Sequence, residues 1–352
     1  MQAEQIWKTS TGEGITVAVI DSGVGYVPEL EGQVLPGKDF SRAKGDERVD
    51  YLHHGTGMAS TIAGTGRGHG SDGVHGLAPG AKILPLRVSQ GGGGKGAGQP
   101  FAEAIRFAAD SSAKVLNISM SGVDHAPVLD DAVRYALGKG KLIFAAVGNE
   151  GDKENWIEYP AGTPGVVGVA AIDRNANAPK WSQHGPQVDL AAPGDGIVSG
   201  CDRGSQICER KGTSDATALA SASAALIWAA HPTWTNNQVL RVMLNTAGKP
   251  RDGVKRNDYI GYGVVRPRVA LTDPGDPGPA DEYPLPDLAA AQKPASASPD
   301  PAASGAPPAV AGPGVIDDGS GGNEPYVALG IGAAVLIAGG VTVLTVRARR
   351  RR

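Results

Sequence analysis

Five nearly unbroken apolar runs recur along the first half of the chain: ITVAVID (15–21), AKILPLRV (81–88), AKVLNISM (113–120), KLIFAAVG (141–148) and GVVGVAAI (165–172). They lack polar alternation, as strands covered on both faces do. Between them the period changes. In FAEAIRFAAD, Phe101, Ala104, Ile105 and Ala108 share one helical face. In PVLDDAVRYALGKG the same spacing links Val128, Ala132, Val133 and Ala136, and Gly140 suits a helix stop. Thr235 with Gln238 spells a capping box opening NQVLRVMLNTA. This alternation predicts an α/β domain over residues 1–272 with a doubly wound, mostly parallel sheet. Such sheets carry their sites at the carboxyl ends of the strands.

Those ends are polar. The first run closes at Asp21, the third in NISMSG, and the fourth in VGNEG with Asn149. One aspartate at a strand end is commonly a turn residue; three polar ends on one edge suggest a built site. YLHHGTGMAS puts His53 or His54 ahead of a small-residue helix. In KGTSDATALASASAALIWAAH, Gly212 permits a tight turn and Ser214 starts a long helix, where free N–H groups and partial positive charge favour an oxyanion. Ala216, Ala218, Ala220 and Ala222 let that helix approach the sheet, while the Ser221 and Ser223 hydroxyls are expected to bond back to the helix backbone.

The last quarter of the chain reads differently. Of 26 prolines, twelve fall between Asp273 and Pro325, with nine acidic residues and a single lysine. With little to bury, residues 273–325 are expected to be a disordered linker. Tyr326 to Val346 is 21 residues without a charge, long enough for one transmembrane helix, and the basic tail 347–352 carries five arginines. Arginines beside a span favour the cytoplasmic side, which puts the domain outside the cell membrane. MQAEQIWKTSTGEG has no apolar export region, so either the true start lies upstream or the sequence was trimmed. Cys201 and Cys208 could close a short loop, and outside the cytoplasm a disulfide would persist; two unrelated thiols are the alternative. A net charge of −3 gives no argument for nucleic acid.

VAVIDSGVG, HGTGMAS, AAVGNEG and GTSDAT, in that order, resemble the signature blocks of the subtilisin-like serine proteases. The linker, span and basic tail narrow the resemblance to the mycosins, membrane-anchored members linked to type VII secretion. The resemblance implies a subtilisin-like fold and hydrolysis of protein or peptide substrates. Ser214 would be the nucleophile, His54 the general base and Asp21 its orienting carboxylate. The Asn149 amide and the Ser214 N–H would form the oxyanion hole, with His53 out of register and structural. Substrate would add as a strand along Ser119, Met120, Ser121 and Gly122, with Gly148 beside it. The Tyr159–Pro160 bond would be cis. Partners would be substrates and the secretion machinery, with no cofactor or metal assigned.

Three positions depart from the family pattern: Asp215 follows the nucleophile, Ala218 replaces a proline, and Ser121 replaces a glycine on the substrate strand. A charge at Asp215 would raise the His54 pKa if it points inward, and Ser121 is expected to crowd the substrate backbone. These departures keep a second reading open, a protease-fold scaffold that holds a secretion complex together. GGGGKG (91–96) lacks the glycine and hydroxyl placement of a phosphate loop. His69, His75, His125, His184 and His231 show no metal-ligand spacing.

Overall fold

A computed structural model describes residues 2–68, 73–88, 98–201 and 207–292. Seven strands form one parallel sheet: β1 (Thr16–Asp21), β2 (Lys38–Asp39), β3 (Lys82–Arg87), β4 (Val115–Ile118), β5 (Leu142–Ala146), β6 (Val167–Ile172) and β7 (Leu190–Pro193). Their order is β2-β3-β1-β4-β5-β6-β7. The chain leaves β1 in both directions, so β1 and β4 flank the topological switch. All five expected strands are present. The short β2 and the small-residue β7 were not foreseen: Lys38–Asp39 is polar, and Leu190–Pro193 is only four residues long.

Alternation along the strands builds two cores. Val17 and Val19 of β1 and Leu142 and Phe144 of β5 face one side, where they meet α2 (His54–Ala63), α5 (Thr213–Ala230) and α6 (Asn236–Thr246). Ala18, Ile20, Ile143 and Ala145 face the other, against α3 (Gly98–Asp110) and α4 (Pro127–Gly138). The expected stripe of α3 is buried there; on α4 Val128 is only half-buried and Leu129 takes the inner place. The capping box closes as spelled, Thr235 accepting from Gln238 N while Gln238 Oε1 accepts from Thr235 N at 3.1 Å. Helix α5 is buried almost all round, and its alanines let it lie against five strands of the sheet.

Beside the sheet, β8 (Asp195–Gly200) and β9 (Ile207–Lys211) pair as an antiparallel hairpin, and Cys201 and Cys208 are joined by a disulfide. The Tyr159–Pro160 bond is cis.

The linker expectation is corrected over residues 273–292, which are laid against the domain. Arg241 of α6 donates to the carbonyls of Pro277, Pro279 and Glu282. Gln238 donates to Gly278 O, and Thr235 and Asn237 to Ala280 O. Tyr283 donates to Gly165 O, Leu285 is buried in the first core, and Asp287 of the short helix Pro286–Gln292 accepts from Gly165 N. Composition shows few apolar groups here. What orders the segment is a row of side-chain donors on another element, satisfying carbonyls that prolines leave without strand partners. The rest of the expected linker, the span 326–346, the basic tail, the glycine-rich 91–96 and His69 lie outside the described residues. Among the described residues, no helix is long and apolar enough to cross a membrane.

Candidate active site

The first strand delivers Asp21, fully buried, to the sheet edge. Its Oδ1 accepts from the Ser22 amide at 2.7 Å and faces His54 Nδ1 at 2.7 Å. His54 is the first residue of α2, preceded by His53 in the left-handed region. A Cβ on Gly55 would lie 2.2 Å from Gly23 O and 3.0 Å from the Asp21 Cβ. Only glycine lets the helix start this close to the carboxylate, which is why the His-Gly pair matters.

A second carboxylate, absent from the sequence reading, holds this corner. Asp50 accepts from Thr56 N at 2.8 Å, from Thr56 Oγ1 at 2.6 Å and from Ser22 Oγ at 2.7 Å. The Ser22 hydroxyl has one proton and spends it best on Asp50, since its Asp21 contact is 3.2 Å. Nothing in the spacing of Asp50 marks it; its partners are Ser22, just past β1, and Thr56 of α2.

Ser214 is the second residue of α5. Its hydroxyl donates to Ser119 O at 2.9 Å, and Ser119 Oγ donates back to Ser214 O at 3.0 Å. Among the described residues, no hydrogen bond joins Ser214 to His54. The two serines clamp the end of β4 to the start of α5. The clamp continues inward: Asn117 Nδ2 donates to Ser119 Oγ, and Ser221 Oγ donates to Asn117 Oδ1, each at 3.0 Å. Ser221 therefore bonds across to the sheet, correcting the expected bond to its own helix. Ser223 does bond back, to Leu219 O.

Asn149 lies just past β5. Its Oδ1 accepts from Thr213 N at 2.9 Å and from Thr213 Oγ1 at 3.1 Å. With the carbonyl end so occupied, the amide end is left to donate. A Cβ on Gly212 would lie 3.6 Å from Ser214 N and 3.8 Å from Asn149 Nδ2, so both donors border the same space. Asp215 Oδ2 borders it too, at 3.7 Å.

That carboxylate is buried, 3.5 Å from the guanidinium of Arg210 on β9. Burial pushes the Asp215 pKa up to about 6, against the pull of Arg210 and His54. For His54, burial opposes protonation, yet attraction to Asp21 outweighs it and the pKa stands above the ordinary imidazole value. Arg210 lowers it and Asp215 raises it. The expected inward charge at Asp215 is thus present, with a counter-charge the sequence reading missed. Arg210 also reaches the His53 carbonyl at 3.4 Å and lies on Gly57 of α2.

On the expected substrate strip, Ser119 is buried and Met120, Ser121 and Gly122 are half-buried. Gly122 is not available for strand addition: its N–H and C=O are both paired with Tyr159, at 3.0 and 2.7 Å. Ser121 turns its hydroxyl away to Glu158 instead of crowding the strip. Gly148 is held by Thr213, whose hydroxyl accepts from the Gly148 N–H at 3.2 Å. Among the described residues, no group of three or more acidic, histidine or cysteine side chains is placed to hold a metal.

The family model described as "Subtilase family" matches residues 12–265. Subtilisin BL of Lederbergia lenta is 35% identical over 260 residues, covering 74% of this chain and 91% of that protein. MycP1 from Mycobacterium smegmatis superposes with a TM-score of 0.69 at 30% identity, covering 79% of this chain and 84% of that one. MycP3 protease from the type VII (ESX-3) secretion system gives 0.64 at 31%, covering 77% and 86%.

Proposed function

The chain belongs to the subtilase family of serine proteases, and on that footing we propose that it is a membrane-anchored, extracytoplasmic endopeptidase serving a type VII secretion machinery. The catalytic part rests on one juxtaposition: buried Asp21 and half-buried His54 paired at 2.7 Å, with Ser214 at the start of α5 beside the Asn149 amide. Ser214 attacks the peptide carbonyl and His54 takes its proton, then returns it to the leaving amine. Asp21 keeps the imidazole proton on Nδ1 and stabilises the imidazolium. Negative charge on the tetrahedral oxygen meets the Asn149 amide and the Ser214 N–H, which are already aimed and need no reorganisation. The attack requires Ser214 to leave the Ser119 carbonyl and turn to His54, a realignment that substrate binding commonly completes. The membrane and secretion parts rest on the apolar run 326–346, its arginine-rich flank, and the likeness to MycP1 and MycP3.

The resting bond from Ser214 to Ser119 favours a second reading, a protease-fold scaffold without turnover. A fluorophosphonate probe separates the two. Labelling of the wild-type chain that vanishes in Ser214→Ala, together with casein hydrolysis, is the expected result. Folded protein that neither labels nor cleaves leaves the scaffold.

A further inference from the structure

Glu158, from the segment between β5 and β6, and Gln183, from the segment between β6 and β7, bring two side-chain acceptors to the floor of the proposed cleft. The antiparallel bridge between Gly122 and Tyr159 fixes Glu158 directly beside Ser121. Ser121 donates its hydroxyl to Glu158 Oε2, which leaves Oε1 open. Across the floor, a Cβ on Gly148 would lie 2.8 Å from the Glu158 Cδ and 1.3 Å from Gln183 Oε1. Gly148 has φ +111°, so no side chain is tolerated there on either count. Gln183 is 1% exposed; its amide nitrogen donates to Trp156 O, which turns its oxygen toward Gly148, and that oxygen has no partner. Among the described residues, Glu158 forms no ion pair.

A buried amide oxygen without a donor is costly to leave unmatched, and the half-buried carboxylate of Glu158 beside it attracts a cation. What satisfies both is a group that only donates, and lysine ammonium and arginine guanidinium are the side chains of that kind. The location selects which substrate residue supplies it. Gly148 is adjacent to Asn149, the proposed oxyanion donor. A peptide with its reacting carbonyl between Asn149 and Ser214 N, and its main chain along Met120 and Ser121, drops the preceding side chain between Ser121 and Gly148. We infer that this chain cleaves after basic residues, with Glu158 determining the specificity and Gln183 assisting. The inference rests on the hydrolytic reading above for the substrate's path, and it adds the substrate class. An acidic or apolar side chain at that place would leave both acceptors unpaired, which is how a polar site rejects the wrong guest.

The test uses internally quenched peptides that differ in a single residue before the scissile bond: arginine, lysine, leucine or glutamate. Wild-type kcat/KM is expected to favour arginine over leucine by about thirtyfold or more. In Glu158→Gln that ratio falls to near one, and in Glu158→Arg the glutamate peptide overtakes the arginine peptide. The reversal shows recognition rather than damage. The same peptides, fluorescently labelled, are then titrated into Ser214→Ala and followed by anisotropy. Tighter binding of the arginine peptide by about tenfold, with no hydrolysis by wild type, keeps this inference and removes the hydrolytic one. Equal or better handling of leucine in both assays overturns the inference while leaving hydrolysis standing.

Discussion

Arg210 on the disulfide-closed hairpin stands 3.5 Å from Asp215, the residue after the proposed nucleophile. The pair sets opposed charges beside one imidazole: Arg210 lowers the His54 pKa and Asp215 raises it. Activity needs His54 neutral, so it should switch on as pH rises through that pKa. Asp215→Asn removes an attraction for the imidazolium, and its activity should begin at lower pH. Arg210→Gln removes a repulsion, and its activity should begin at higher pH. Shifts of about half a pH unit in opposite directions are expected in kcat/KM profiles. Curves that coincide for all three proteins would mean that the charges do not reach the base.

Among the described residues, the Asn149 side chain hydrogen-bonds only to Thr213, which aims it. Its proposed work is done only when negative charge develops on the substrate oxygen. Asn149→Ala should therefore lower kcat by about 10²–10³-fold with little change in KM. Steady-state kinetics check this. A loss carried mainly by KM would assign Asn149 to ground-state binding instead.

Asp189 is a buried carboxylate away from the site, accepting from Gly168 N at 3.0 Å. Burial pushes its pKa up to about 8, with Asp287 adding to the rise and Gly168 N–H and Arg256 opposing it. Its folded-state pKa lies above that of an unfolded aspartate, near 4. The stability it allows is complete below about pH 4 and is lost as pH rises toward 8. Asn at this position stays neutral and can still accept from Gly168. Asp189→Asn should match wild type near pH 4 and melt several degrees higher at pH 8. Parallel melting curves against pH would show that the carboxylate is not held protonated.

The segment 273–292 is tied to the domain through three carbonyl contacts of Arg241. Arg241→Ala should lower the melting temperature by roughly 3–6 °C. A fragment ending at Asp273 should lose at least as much relative to one ending at Gln292, because it also exposes the pocket of Leu285. Calorimetry of the two fragments decides. Equal melting temperatures would make the segment a passenger.

The five apolar runs, the stripe of α3 and the capping box of α6 are legible because each is written within a few turns or residues of its own chain. Asp21, His54, Asn149 and Ser214 are legible for a related reason: each closes a strand or opens a helix, and the sheet brings those ends to one edge. The hairpin β8–β9 is not legible, since its strands are largely exposed and carry no apolar run. Nor is the order in 273–292, whose partners are donors on α6.

What the sequence determined by itself is therefore the parallel sheet, its helices and the identity of the residues on its polar edge, since local periodicity and turn chemistry act at short range. Tertiary structure alone decided that Ser214 rests on Ser119, that Arg210 faces Asp215, and that Glu158 and Gln183 meet at Gly148. Each of these joins groups far apart along the chain or directed by their surroundings. The energy of a charge or a hydrogen bond depends on the partner that folding supplies, and no stretch of sequence carries that partner with it.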